Sequence, residues 1–222
     1  MLQVKDLSFR YNSETDWLFQ DFYFETDKGK IIAINGDSGS GKTTLLNIIC
    51  GVIPKMIKGN FSGKITFNKT DLSTLTLPQT APLLSLLMQE PDNQLFFPTV
   101  EQELAFGPEN LQIEPEEIQE RIDKILKVLQ IEKLRNKETH NLSFGQKKLV
   151  IFASILTLDP QVFLLDELSA GLSNDYITNI KKILRNLAAK GKIIFLTDHA
   201  GDFADIADTV IKLSSNPIDG KI

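Results

Sequence analysis

Cysteine is almost missing from this chain: Cys50 is the only one in 222 residues. A single thiol excludes an intrachain disulfide and a thiolate metal cluster built within the chain, and the natural compartment is the cytosol. Cys50 ends the apolar run Leu45-Leu-Asn-Ile-Ile-Cys, a setting that suits a small core side chain. Long apolar stretches are missing as well. Nowhere do about 18 apolar residues follow one another, as a spanning helix requires. The start, Met1-Leu-Gln-Val-Lys-Asp-Leu, has no basic segment followed by an apolar core, so the expectation is a soluble chain that stays where it is made. A positive excess is absent too. With 24 basic and 29 acidic residues the net charge is −5, which gives no general field to attract a phosphate backbone or an anionic membrane surface. Nucleic acid is therefore not an expected partner.

Repeats, low-complexity tracts and long Pro/Gly/Ser linkers are likewise absent, and 42 % hydrophobic content over this length supplies a sizeable core, so one folded unit is expected. Short β-rich runs come first, at Leu2 to Phe9, Phe19 to Glu25, Lys30 to Asn35, Gly63 to Phe67 and Leu83 to Met88, separated by turn residues. From about Val100 to Leu156 the period becomes helical, with Ile118, Ile122, Ile125, Leu126 and Leu129 on one face, and this stretch reads as a helical insert. A buried strand at Val162 to Leu165 follows, then a helix turning Ile177, Ile180, Ile183, Leu184 and Leu187 inward. Strands at Ile193 to Leu196 and near Thr209 to Leu213 complete the chain, leaving no room for an appended domain. Alternating strands and helices predict an α/β fold with a parallel sheet.

Gly36-Asp-Ser-Gly-Ser-Gly-Lys42-Thr43 fits G-x-x-x-x-G-K-[ST] without a gap, after the apolar strand Ile31-Ile-Ala-Ile and before the helical Leu45-Leu-Asn-Ile-Ile,. Glycines let successive N–H groups close on phosphate oxygens, and the helix start adds its positive dipole end. Gly36, Asp37, Ser38, Gly39, Ser40, Gly41, Lys42, Thr43 and Thr44 are thus the expected nucleotide-binding set. Lys42 would reach the β- and γ-phosphates, and the Thr43 hydroxyl would ligate Mg²⁺.

Val162-Phe-Leu-Leu-Asp166-Glu167 is an apolar run ending in two acids. That places two carboxylates at the carboxyl edge of a buried parallel strand, where open α/β sheets bind ligands. Asp166 would hold the metal, and Glu167 would orient or deprotonate the water that attacks the γ-phosphate.

Leu142-Ser-Phe-Gly-Gln146 precedes Asp166 and opens a helix, with Ser143 suited to cap it and Gly145 leaving bare backbone,. Here the chain resembles the ABC (ATP-binding cassette) ATPase family, whose signature reads L-S-G-G-Q. The resemblance extends over essentially the whole chain. It implies a P-loop NTPase fold with a mainly parallel core sheet, an N-terminal antiparallel β subdomain and an inserted α-helical subdomain. Residues 1–222 would form one domain, with about 1–90 and 157–222 as nucleotide-binding core and about 91–156 as the insert. It also implies ATP and Mg²⁺ as ligands and a head-to-tail dimer, in which Ser143, Gly145 and Gln146 close over the nucleotide of the second cassette; a lone cassette would be nearly inactive. By the same resemblance Tyr11 would stack on adenine, Gln89 would contact the metal and couple it to the transport partner, and His199 would touch the γ-phosphate.

The segment from Gln89 to Val100, followed by Glu103-Leu-Ala-Phe-Gly-Pro-Glu-Asn, is especially similar to ATPases of energy-coupling-factor importers, which take up vitamins and cobalt or nickel ions. This implies membrane coupling and substrate-binding subunits as partners and a peripheral location on the cytoplasmic face of the cell membrane. Two alternatives stay open: a soluble ABC ATPase of nucleic-acid maintenance, and a weakly hydrolysing regulatory cassette paired with an active paralogue. The second is motivated by departures from the family pattern. Phe144 stands where the signature has its first glycine, and would be strained if that position needs positive φ. Ser173 replaces an aspartate that reaches across the dimer. In Thr197-Asp-His199 the acid precedes the histidine.

Overall fold

The computed structural model describes residues 1–198 and 201–214, together with the backbone of 218–221. Alternation builds the first sheet. In β1 (Leu2–Arg10) Leu2, Val4, Leu7 and Phe9 are buried. The inward set slips by one residue at Asp6, whose φ of 51° marks a bulge that re-aims the strand,. β1 pairs antiparallel with β2 (Phe19–Thr26) and β4 (Asn60–Phe67), and β4 with β5 (Thr70–Asp71). β10 (Ile218–Lys221) lies parallel on the far side of β2. Neither β5 nor β10 is anticipated by the sequence pattern, since two-residue pairing and a strand recruited by an open edge leave no periodic trace.

The second sheet has the order β6-β7-β8-β3-β9, using β3 (Ile31–Asn35), β6 (Leu84–Leu87), β7 (Val162–Asp166), β8 (Ile193–Thr197) and β9 (Thr209–Lys212). Every pairing in it is parallel. Its central strands are continuous apolar runs because both faces are covered. Val162, Leu164, Ile193 and Phe195 pack towards the first sheet and α1 (Lys42–Cys50), where Phe24 meets Phe195 edge-on at 5.9 Å. The alternate residues, Phe163, Leu165, Ile194 and Leu196, pack into a second cluster under the helices. Two short helices, α2 (Val52–Lys55) and α3 (Leu77–Thr80), occupy the connections from α1 to β4 and from β5 to β6.

The helical stretch resolves into α4 (Val100–Asn110), α5 (Pro115–Leu129) and α6 (Phe144–Leu158), with α7 (Asn174–Ala189) after β7. It is not continuous, because Gln130 takes a left-handed φ of 59° and ends α5,. In α5, Ile118, Ile122, Leu126 and Leu129 are buried as the spacing predicts, with Ile125 partly buried beside them. Arg135 clips the insert together: its guanidinium donates to Glu101 at 2.7 and 3.0 Å and to Gln119 at 2.6 Å, and pairs with Asp123. No helix among the described residues is long and apolar enough to cross a membrane.

Cys50 ends α1 and packs, partly buried, against the inter-sheet core. Burial pushes its thiol up to about 11, against a smaller opposing pull from Lys55. Because folding raises this pKa, the associated stability is intact below the ordinary thiol pKa and is lost as pH climbs towards the folded value. At pH 8 the native thiol should therefore react with a disulfide reagent about 10²-fold more slowly than the urea-unfolded chain; equal rates would contradict this burial.

Candidate functional site

Parallel strands share one carboxyl edge, and the loops that leave β3, β6, β7 and β8 therefore emerge side by side,. The loop after β3 leads into α1 through Gly41, whose φ of 93° is a left-handed conformation that a side chain would strain,. No side chain caps α1 and its first turn holds no acid. By contrast, α4 and α6 carry reciprocal capping boxes, Thr99 with Gln102 and Ser143 with Gln146. The first-turn amides of α1 and its positive dipole end are thus left for an anion.

Lys42 is buried and folds back on its own loop, donating to the carbonyls of Gly36 at 2.7 Å and Asp37 at 2.9 Å. The Ser40 hydroxyl is buried with no hydrogen-bond partner, and nothing lies within 4 Å of the space a Cβ would take at Gly39. Asp37, Ser38 and Gly39 are exposed, and Ser38 and Gly39 line the cleft. These features fit a polyphosphate.

Asp166 ends β7 almost fully buried, with both oxygens engaged. Oδ2 accepts from the Thr43 hydroxyl at 2.7 Å, and Oδ1 from the Thr197 hydroxyl at 2.5 Å. Thr197, the last residue of β8, uses its hydroxyl both ways, because its Oγ1 also accepts the Glu167 N–H at 3.0 Å,. That N–H lies 3.2 Å from the Thr197 carbonyl as well. Glu167 adopts a φ of 51°, a strained conformation for a long side chain that these bonds hold in place,. Its Oε2 accepts from Gln89 Nε2 at 3.2 Å.

Tyr11 also lines the cleft, edge-on to Phe9 at 5.1 Å, with its hydroxyl 2.8 Å from Thr44 Oγ1. The cleft has a volume of about 710 Å³ and is lined by Tyr11, Ser38, Gly39, Gly41, Lys42, Thr43, Thr44, Gln89 and Glu167, together with the Glu14 to Asp16 turn and Leu18. As oxygen donors, Thr43, Gln89 and Asp166 offer one carboxylate and two neutral groups. Among the described residues no cluster of three or more His, Cys, Asp or Glu could hold a metal ion. Such a sparse, hard-oxygen set fits Mg²⁺, which keeps several waters and shares the phosphates of its substrate, and does not fit zinc.

The structure thus brings Tyr11, Ser38, Gly39, Gly41 to Thr44, Gln89 and Glu167 to one cleft, with Asp166 buried and bonded to Thr43, and leaves Gly36, Asp37, Ser40, Ser143, Gly145 and Gln146 outside its lining. Ser143 caps α6 as the sequence suggests, accepting the Gln146 N–H at 3.3 Å. Phe144 is the first residue of α6 and has no positive φ, so the strain considered for it does not arise. Its neighbour Gly145 is the sterically required residue, since a Cβ there would stand 2.3 Å from the Gly171 carbonyl oxygen. His199 lies outside the described residues.

Two residues that hold this arrangement carry no motif signal. A hydroxyl ending the strand beside the Asp166 strand is the only mark of Thr197. Lys148 is a fully buried lysine whose mark is its position against the apolar run Leu149-Val-Ile-Phe.

The ABC transporter family model matches residues 19–170 of this chain. The energy-coupling factor transporter ATP-binding protein EcfA of Methanocaldococcus jannaschii is 37 % identical over 223 residues, covering 100 % of this chain and 77 % of that protein. A putative ABC transporter ATP-binding protein of Treponema denticola is 32 % identical over 98 % of this chain, which spans only 45 % of that relative's length. Among solved structures, cbiO1 from Clostridium perfringens, part of the ABC transporter complex cbiONQ, superposes with a TM-score of 0.80 at 32 % identity, covering 96 % of this chain and 84 % of its own.

Thr197→Val keeps the side-chain shape but strips one oxygen of Asp166 and the Glu167 N–H of a partner. It should cost about 1–3 kcal/mol of stability in the nucleotide-free protein, with Thr197→Ser close to wild type. Urea denaturation reads both, and a neutral Thr197→Val would contradict the network.

Proposed function

The chain belongs to the ABC transporter family, and from that membership we propose that it is the ATP-hydrolysing motor of an energy-coupling-factor-type membrane importer, working as one of two cassettes in a head-to-tail dimer. One observation carries the catalytic part. The uncapped start of α1, with Thr43 bonded to the doubly engaged Asp166, the Gln89–Glu167 pair and Tyr11 all border one cleft.

In this reading the half-exposed Tyr11 ring takes the adenine face,, and the triphosphate lies across Gly36 to Thr44 against the α1 amides. Lys42 exchanges its two carbonyl partners for β- and γ-phosphate oxygens, which substitute one set of acceptors for another without exposing the ammonium,. Thr43, Asp166 and Gln89 would hold Mg²⁺, which neutralises charge shared by the β- and γ-phosphates. Gln89 donates to Glu167 through Nε2 and keeps Oε1 available for that role. Glu167 accepts a hydrogen bond from the attacking water; the water oxygen bonds to the γ-phosphorus as the bridging P–O bond breaks, and ADP and phosphate leave. Ser143, Gly145 and Gln146 of the second cassette cover the γ-phosphate, and His199 contacts it. Residues 1–222 act as one domain, the 91–156 segment being an insert in the nucleotide-binding core.

Similarity to EcfA over the whole chain and to cbiO1 supports the importer assignment. So does the surface beside Gln89. Phe96 is 76 % exposed, held outward by Glu103, whose buried carboxylate accepts the N–H groups of Phe96 and Phe97 at 3.0 Å each. Phe97 packs on Phe106, itself exposed together with Met88. Such exposed apolar side chains suit contact with a transmembrane coupling subunit, and in this reading the chain works peripherally on the cytoplasmic face. The cargo, a vitamin or a transition-metal ion, binds another subunit and never touches this chain. Ser173, which stands at the start of α7 with no capping bond from its side chain and no carboxylate, favours pairing with a paralogous cassette that supplies the fully equipped composite site.

Glu167→Gln should lower phosphate release by about 10²-fold or more while size-exclusion chromatography with Mg·ATP shows a trapped dimer, and Lys42→Ala should abolish nucleotide binding or turnover. An unchanged hydrolysis rate in either variant would overturn these roles. Phe96→Ser should leave stability within about 0.5 kcal/mol of wild type yet lose co-purification with membrane subunits; retained co-purification would remove this surface from the interface.

A further inference from the structure

Lys148, in the second turn of α6, has no exposed surface. A buried ammonium is costly unless its donors are used, and these are used specifically. Nζ donates to the Met88 carbonyl at 3.1 Å and to the Asp166 carbonyl at 3.2 Å. The Phe144 ring, one helical turn earlier, lies 5.7 Å from it, within cation–π range.

The two acceptors are not arbitrary. Each carbonyl belongs to the peptide bond that leads into a residue of the cleft, Gln89 in one case and Glu167 in the other, and the side chains of those two residues meet at 3.2 Å. The far side of the Asp166–Glu167 peptide is held as well, and so is the peptide just before Met88–Gln89. Thr197 takes the Glu167 N–H, while the Met88 N–H donates to Gln94 Oε1 at 2.9 Å, whose Nε2 returns to the Leu86 carbonyl at 2.7 Å. The adjacent Lys147 pairs with Asp92 on the same loop. Lys148 itself does not line the cleft.

We propose that Lys148 is a positioning residue for ATP hydrolysis: by gripping the Met88 and Asp166 carbonyls together it fixes the backbones of Gln89 and Glu167, and with them the spacing of carboxamide and carboxylate. This rests on the ATPase reading given above. A lysine that merely filled space would be replaceable by methionine, because exchanging a buried charge for an apolar side chain of similar volume is often neutral or stabilising. Removing the buried charge offsets part of the cost of leaving two carbonyls without this donor, so Lys148→Met should keep the fold at a somewhat lower melting temperature.

The test compares wild type, Lys148→Met and Lys148→Arg in the full chain by melting temperature, equilibrium binding of a fluorescent ATP analogue, steady-state kcat and KM, and amide exchange at Glu167 without nucleotide. In Lys148→Met the melting temperature should fall by only about 2–8 °C, binding should stay within about twofold and kcat should fall by about 10²-fold, the scale set by a small misplacement of reacting groups. The Glu167 amide should exchange faster, and Lys148→Arg, which keeps donors, should recover rate and protection. A Lys148→Met kcat within about twofold of wild type, or an arginine variant as slow as the methionine variant with unchanged exchange, overturns the role of Lys148 and leaves the ATPase reading standing. A wild-type chain that neither binds nor hydrolyses ATP overturns that reading, and this inference with it.

Discussion

A buried carboxylate must have its oxygens satisfied, and the way Asp166 meets that demand organises the rest of the molecule. One oxygen takes the hydroxyl of Thr43, in the first turn of α1; the other takes that of Thr197, at the end of β8. Two elements distant in sequence are thereby registered to the end of β7. The phosphate loop, which shares its anchor with α1, cannot shift relative to the strand ends without unpairing a nearly inaccessible charge,. The left-handed backbone of Glu167 is tolerable for the same reason, since the hydroxyl that satisfies Asp166 also accepts the Glu167 amide.

Capping divides the helices by task. α4 and α6 begin with side chains that satisfy their own first turns, and their N-termini are stable without a ligand,. α1 begins on a left-handed glycine with no cap and waits for an external acceptor. α5 and α7 also start without a side-chain capping bond but carry acids in their first turns. Among the described helices of eight or more residues α1 alone has a start with neither cap nor acid, and the proposed phosphate site rests on that difference,. Rigidity in the insert has a related purpose. Arg135 and Glu103 use buried or half-buried hydrogen bonds to keep α4, α5 and the Phe96 loop in fixed relation, so that an exposed aromatic beside Gln89 is presented on a firm base.

Much of this was legible in the linear chain. The phosphate loop, the paired acids after Val162-Phe-Leu-Leu and the cap at Ser143 announce themselves because each is a local motif whose residues act within a few positions of one another. Core strands were readable as unbroken apolar runs and the inward face of α5 as a helical stripe. Other features were not. Thr197 is an ordinary residue until β8 is laid beside β7, and Lys148 carries no motif signal until α6 is packed against the strand exits. The left-handed Gln130 that splits the insert and the late β10 strand depend on how neighbours pack rather than on periodicity.

What the amino-acid order determined alone is therefore chemistry of short range: which loop can cradle phosphate, which strand ends in carboxylates, which helix starts are capped. Tertiary structure decided which of those groups meet. Only the parallel arrangement of the second sheet brings Gln89, Asp166, Glu167 and Thr197 to one edge and leaves Ser143, Gly145 and Gln146 outside the cleft lining. The physical reason is that hydrogen bonds between groups from different strands are selected by burial and sheet register, and neither of these is written in the spacing of residues along the chain.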